Sequence, residues 1–454
     1  MTHMIRTRAC ILSCIWMAGS VVASGNRFTS PDGTVQAALS VDAAGQLVYT
    51  VAFGGVDVVA ESPIGLILDG ADLGKVGRLT AMSVREAHER YPVRGVHAEA
   101  TFDALQVLYS VQPKEGPAYG VQMTVANEGF AWRIIVPGNG ERRVTEETAC
   151  WRLPPSGRAW FAERLSDWKL KSYAGEWISA PLTNLHQVSS QGPVQPMPLV
   201  VELPGERGYA VVTESALFGY SGLRLRAFPD GSVKGVFSEK DGFTVNGCLT
   251  TPWRVLLLAP NLNALVNSDL VTSLTPPPDP ALFGSFEWVA GGRSVWSWWQ
   301  GDDATYMAVE GEKRLIDCAA RLKFEYTTLD EGWEAWTNAW AVLKEVCDYG
   351  TTNNVRTFVW KHSKDLNLPA NDYAALRGFL DQVQAAGAAG VKIDFMNGED
   401  YGLIAFDERV LREAALRKLL VNFHGCQKPS GESRTYPNEL TREGVRGLEL
   451  NRIT

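Results

Sequence analysis

From residue 284 onward the chain alternates strand-like and helix-like segments, and this alternation limits the possible folds more than any other feature. Ser294–Trp298 reads as a strand, Met307–Leu322 as a helix and Phe324–Leu329 as a strand. Then come helical Trp340–Val346, strand Val355–Trp360, helical Tyr373–Ala388, strand Val391–Met396, helical Asp407–Lys418 and strand Leu419–Phe423. Repeated β/α units build a parallel sheet whose functional loops follow the strands. The stretch Ala389-Gly390-Val391-Lys392-Ile393-Asp394-Phe395-Met396 is an apolar run carrying Lys392 and Asp394, followed by polar Asn397–Asp400. A buried parallel strand that delivers a carboxylate to a barrel rim has this pattern. Strand ends fall near Trp298, Leu329, Trp360, Phe395, Phe423 and Glu449, about six in all, where a closed (β/α)8 TIM barrel needs eight. Residues 284–454 are therefore expected to form an incomplete barrel, either a fragment of a longer one or an open one with costly unpaired edges.

The first half has a different texture. Val35–Val41, Leu47–Phe53, Gln106–Val111, Val121–Val125, Phe130–Ile135, Leu199–Leu203, Tyr209–Thr213 and Arg254–Leu258 are short β-type segments. Turns such as Pro31-Asp32-Gly33, Pro137-Gly138-Asn139-Gly140 and Pro229-Asp230-Gly231 separate strands. Many short strands without a strong helix predict a large antiparallel β-sandwich over 25–274. Thr275–Pro280 holds four prolines, and 275–283 reads as a linker into the barrel.

Residues 1–24 read as a signal peptide: Arg6 and Arg8 start it, Ala9–Ala18 is mostly apolar, and cleavage is expected near Ala23. Losing two arginines and no acids takes the net charge from −8 to −10. With 45% hydrophobic and 21% charged residues the chain is globular. An acidic protein without basic blocks is not built for nucleic acid, and no later run reaches the ~18 apolar residues of a membrane span. The expected product is exported, periplasmic or extracellular. Cys150, Cys248, Cys318, Cys347 and Cys426 have wide, irregular spacing. They suggest neither a zinc site nor a disulfide scaffold; one disulfide is compatible with them, and buried free thiols fit better.

Six segments in order carry a resemblance. They are Arg293–Trp299 (RSVWSWW), Asp330–Trp333 (DEGW), Val391–Met396 (VKIDFM), Val421–Gly425 (VNFHG), Arg434–Asn438 (RTYPN) and Arg442–Glu449 (REGVRGLE). Together the chain resembles glycoside hydrolase family 97, exported bacterial α-glycosidases. The resemblance implies an N-terminal β-super-sandwich, a (β/α)8 barrel and a C-terminal β-domain, the last absent here together with the end of the barrel. It also implies a choice of mechanism. Inverting α-glucosidases of the family carry base glutamates at positions matching Ser363 and Gly425, whereas retaining members, including α-galactosidases, carry an aspartate matching Asp394.

Retaining hydrolysis needs two carboxyl groups about 5–5.5 Å apart, one to attack the anomeric carbon and one to protonate the leaving oxygen. Asp394 is the expected nucleophile and Glu449 the expected acid/base, with a helix cap or loop anchor as the structural alternative for Asp394. The resemblance further implies calcium held by Glu443 and Glu449, with Glu176 supplied from the sandwich domain. Hard cations take several oxygen ligands, and Gly425 removes one that the family would supply. Asp330, Glu331, Lys361, His362 and His424 follow strand ends, and Lys392 shares a face with Asp394. These are candidates for sugar hydroxyls, and Trp298, Trp299 and Trp333 for stacking, since sugar C–H faces pack on indoles; each tryptophan reads equally well as core. The expected substrate is an α-linked oligo- or polysaccharide. An inverting α-glucosidase and a non-catalytic carbohydrate-binding remnant are the competing readings.

Overall fold

The computed structural model describes residues 27–163, 174–300 and 307–453; the signal peptide expected at 1–24 lies outside them. The chain divides into two compact units, one drawn from 1–161 and 177–274, the other from 162–176 and 275–454.

The strands of the first unit pair antiparallel throughout, with only short helical segments between or after them. Arg27–Thr29, Val35–Val41, Leu47–Phe53 and Val56–Pro63 form a four-stranded sheet. A ten-stranded sheet runs in the order Glu176–Pro181, Arg158–Glu163, Leu199–Glu202, Tyr209–Ser215, Trp253–Ala259, Gly129–Val136, Tyr119–Ala126, Glu99–Pro113 and Val76–Pro92, with Leu249–Thr250 also paired to Gly129–Val136. Alternation explains the layering: in Val35–Val41 every second residue through Val35, Ala37 and Leu39 is buried, and the residues between them are only partly so. Tyr49 stacks on Phe130 at 5.5 Å, beside fully buried Trp132. Arg254 lies in the same interior, where its guanidinium is bonded to both Glu147 and Glu214. All three side chains are wholly buried, and mutual pairing is what makes such burial tolerable.

The second unit carries six parallel strands in sequential order: Ser294–Trp296, Tyr326–Leu329, Arg356–His362, Gly390–Asp394, Leu420–Phe423 and Glu439–Arg442. Helices Val309–Leu322, Ala339–Thr352, Ala374–Ala385 and Tyr401–Leu416 connect the first five. All five residues of the fourth strand are buried, as a parallel strand covered on both faces requires. Gly390 starts it because a Cβ there would run into the Leu420 carbonyl and come within 2.7 Å of the Phe358 ring.

The sheet is a half-barrel of six strands, in line with the incomplete barrel that six strand ends predict: among the described residues the first and sixth strands each pair on one side only. The bounds of two strands need correction. The sixth strand is Glu439–Arg442 rather than a segment ending near Glu449; Glu449 lies in a turn before a short helix, Leu450–Ile453. The first strand also stops early, at Trp296, because Trp298–Gln300 tightens into a 3-10 turn.

Candidate active site

Parallel register brings the polar residues together. Trp360 pairs with Lys392, His362 with Asp394, and Lys392 with Asn422. Alternate residues share a face of a strand, so Lys392 and Asp394 point the same way as Trp360. Asp330 and His424 each follow the last residue of their strand.

Lys392 is the centre of this set. It is 2% exposed, and its Nζ donates to Asp330 Oδ2 at 2.8 Å and lies 3.1 Å from Asp394 Oδ2. The same ammonium sits 4.2 Å above the Trp296 ring, whose Nε1 donates to Asp330. One buried cation thus serves two buried carboxylates and an indole face, an arrangement that offsets part of the buried negative charge.

Asp394 accepts from Trp360 Nε1 at 3.0 Å and from the Phe395 backbone N–H at 2.7 Å, and His424 Nδ1 lies 3.4 Å from Oδ1. Burial alone would push this carboxyl up. The His424 hydrogen bond, the Lys392 charge and the Trp360 donor outweigh burial and hold it well below the usual carboxylate range. Asp394 is therefore a fixed carboxylate. The backbone turns sharply after it: Phe395 takes φ +60° and Asn397 φ +57°, conformations that side-chain-bearing residues seldom adopt and that concentrate at functional sites. The Phe395 carbonyl is anchored by the Ser363 hydroxyl at 2.8 Å, and the Phe395 ring stacks on His362 at 4.9 Å.

The remaining candidates separate by environment. Glu331 is exposed beside Asp330. His362 Nδ1 accepts from the Lys364 backbone at 3.1 Å, and burial followed by the Lys364 charge pushes its pKa down. Lys361 is engaged by Glu334 and Asp365, each at 2.8 Å. Trp298 is half-buried, while Trp299 is 43% exposed and stacked with Trp296 at 6.3 Å. Trp333 offers no face for stacking. It is 1% exposed, donates Nε1 to the Trp360 carbonyl at 3.0 Å and packs edge-on against Trp340. Its bulk supports the strand that carries Trp360. Trp296 and Trp360 were not singled out in the sequence, although strand parity with Lys392 points to Trp360.

A second cluster lies on the other side of His424. Ligand atoms of His424, Glu443 and Glu449 all fall within 4.8 Å of one another. His424 Nδ1 is 3.1 Å from Glu443 Oε2, which also accepts the Gly425 backbone N–H at 2.9 Å. Burial raises the Glu443 pKa, and the charges of Glu449 and Asp394 add to this against the lowering effect of His424 and the Gly425 N–H. Two crowded carboxylates suit a hard divalent cation, so these residues fit one. Glu176 is not part of the cluster: it is exposed, with Oε1 3.6 Å from Arg446.

The profile described as Glycosyl-hydrolase 97 N-terminal matches residues 28–277, and that described as Glycoside hydrolase 97 matches 289–445. A protein named probable retaining alpha-galactosidase from Streptomyces bingchenggensis is 30% identical over 439 residues, which is 91% of this chain. A retaining alpha-galactosidase from Bacteroides thetaiotaomicron is 26% identical over 489 residues, or 97% of this chain. The chain spans 64% of the first relative's length and 70% of the second's. The crystal structure of a beta-arabinopyranosidase superposes with a TM-score of 0.83 at 23% identity, covering 94% of this chain and 71% of that one.

Proposed function

The chain belongs to glycoside hydrolase family 97, and we propose that it is an exported retaining exo-α-glycosidase that removes terminal α-galactosyl groups from oligo- or polysaccharides. The observation that carries this reading is the state of Asp394, a buried carboxylate at a strand end kept ionised by His424, Lys392 and Trp360. Ionised, oriented and shielded, it has what a nucleophile needs. The positions where an inverting enzyme would carry its base hold Ser363, which anchors Phe395, and Gly425, at φ +52°. Neither can activate water.

In the proposed cycle Asp394 attacks the anomeric carbon while Glu449 gives a proton to the departing oxygen. A covalent glycosyl-enzyme forms and the aglycone leaves as an alcohol. Glu449 then takes a proton from water as that water displaces Asp394, which restores both groups. Asp394 and Glu449 flank the same imidazole, since both approach His424. Lys392 and Trp360 keep Asp394 from turning away. Glu331 and His362 are the strand-end groups we assign to ring hydroxyls, with buried Asp330 behind them holding Lys392, and exposed Trp299 offers an indole face. Glu443 and Glu449 would hold a divalent cation, calcium in our reading; when bound it supplies positive charge that offsets their crowding. Export rests on residues 1–24.

Turnover of p-nitrophenyl α-galactoside, α-glucoside and β-L-arabinopyranoside, with and without chelator, tests the reading. The arabinoside is an α-D-galactoside without its C6 group, so it probes how much that group contributes. The α-galactoside is expected to be cleaved with retention, and Asp394→Ala to be inert until azide restores turnover as a β-galactosyl azide. No turnover of any substrate, or an Asp394→Ala variant as active as the parent, would defeat the proposal.

A further inference from the structure

Glu312 sits in the first turn of the helix Val309–Leu322 with no exposed surface. Neither of its carboxyl oxygens makes a hydrogen bond of good geometry, and the Ser297 hydroxyl is the polar group beside it. Its neighbours explain why this matters. From the first strand's end Ser297 faces it, and from the second strand's end it meets the charge of Asp330. The adjacent helix Ala339–Thr352 supplies no counter-charge, because its one basic residue, Lys344, is paired with Asp348 at 2.8 Å. Lys392, the buried cation of the site, is already engaged by Asp330 and Asp394.

A buried carboxylate with no cationic partner and a like charge nearby is strongly disfavoured, so the neutral acid is the form that fits. A neutral acid carries an O–H, and the acceptor it faces is the Ser297 hydroxyl. That hydroxyl accepts the Asp330 backbone N–H at 3.2 Å, and Asp330 in turn orients Lys392 beside Asp394. We propose that Glu312 is a positioning residue, kept as a neutral acid, that braces Asp330 through Ser297, and that loss of its proton loosens the Asp330–Lys392–Asp394 chain. Burial, opposed by the Ser297 hydroxyl and with the Asp330 charge adding to it, pushes its pKa up to about 8, so release falls on the alkaline side of neutrality. The consequence for catalysis rests on Asp394 being the nucleophile; the state of Glu312 does not.

Three measurements on the full chain test this, with E312Q as the neutral analogue and E312A as the deletion. Infrared difference spectra taken between about pH 6 and about pH 10 should show a protonated-carboxyl carbonyl band that vanishes on the alkaline side and is missing in E312Q. Indole emission should change over the same range in the parent, and this change should be lost in E312Q and in W296F, because Trp296 is bonded to Asp330. In kcat/KM for the α-galactoside, E312A should lose roughly 10- to 100-fold. E312Q should recover most of that near pH 6 and keep it at alkaline pH, where the parent falls. A carboxyl band unchanged in E312Q, or a parent-like alkaline fall in E312Q, overturns the proposal. If no substrate is turned over, the proposed function fails, while the infrared and emission data still decide the role of Glu312.

Discussion

Replacing Lys392 by methionine probes the electrostatics of the site directly. The side chain keeps most of its volume and loses only the ammonium that joins Asp330 at 2.8 Å and Asp394 at 3.1 Å. At an effective dielectric of about 20, each contact carries on the order of 5–6 kcal/mol of gross attraction before desolvation is subtracted. Breaking a buried pair leaves the partner charge uncompensated, which typically costs about 3–5 kcal/mol. We expect the upper part of that range at neutral pH, since two carboxylates, 6% and 9% exposed, lose one cation. Asp394 titrates below its ordinary 3.8 in the folded chain. It therefore stabilises the native state above roughly pH 4, and that contribution is lost as pH falls through the folded value. Methionine at 392 removes one of the causes of the lowering, so the deficit should be largest near neutrality and shrink toward acid. Urea unfolding followed by near-ultraviolet circular dichroism from about pH 2 to about pH 8 measures it. A deficit below about 1 kcal/mol at neutral pH, or one that does not change with pH, would refute the assignment of Lys392 as the shared counter-ion.

Three other changes have definite outcomes. Gly425→Glu places a Cβ 3.6 Å from Asp394 Oδ1 on a φ +52° backbone. The added charge should raise the Asp394 pKa, move the acid limb of the pH–rate profile upward and cut kcat/KM at least about 10-fold; NMR of the first-formed anomer should still report retention. Gly390→Ala drives a methyl into the Leu420 carbonyl and the Phe358 ring, so a loss of about 2 kcal/mol or more is expected in urea unfolding. In the β-rich unit, Arg254→Met strands Glu147 and Glu214 with no exposure. The expected cost is again about 3–5 kcal/mol, and the double change to glutamine at 147 and 214 in that background should recover part of it.

How far the fold could be read from the sequence depended on how each strand is buried. Strands buried on both faces, such as Gly129–Val136 and Tyr209–Ser215, run apolar and were legible within a residue or two. Val76–Pro92 was not, despite its 17 residues. It is an edge strand with Val76 alone buried, so its arginines, glutamates and threonines carry no apolar period, and its order comes from pairing along Glu99–Pro113. Glu439–Arg442 was missed for the opposite reason. It buries charge: Glu439 accepts from Arg442 at 2.7 Å, and Asp407 lies 3.4 Å from the same guanidinium. Pairing that makes such a strand tolerable depends on residues distant in sequence, which local pattern cannot supply.

The site was legible as far as strand ends predict it, and its logic lies in what surrounds them. Asp394, Asp330 and His424 follow from the rule that residues at the ends of parallel strands line the functional face. Trp360 and Trp296 needed register, and Glu312 needed three-dimensional burial, since a glutamate in a helix's first turn otherwise looks like an ordinary dipole partner. What the structure adds is a division between carboxylates within reach of one imidazole. Asp394 is held down by His424, Lys392 and Trp360, whereas Glu443 is pushed up by burial and by the charges of Glu449 and Asp394. Carboxylates whose environments drive them apart are how one site keeps a nucleophile charged and a proton available beside it.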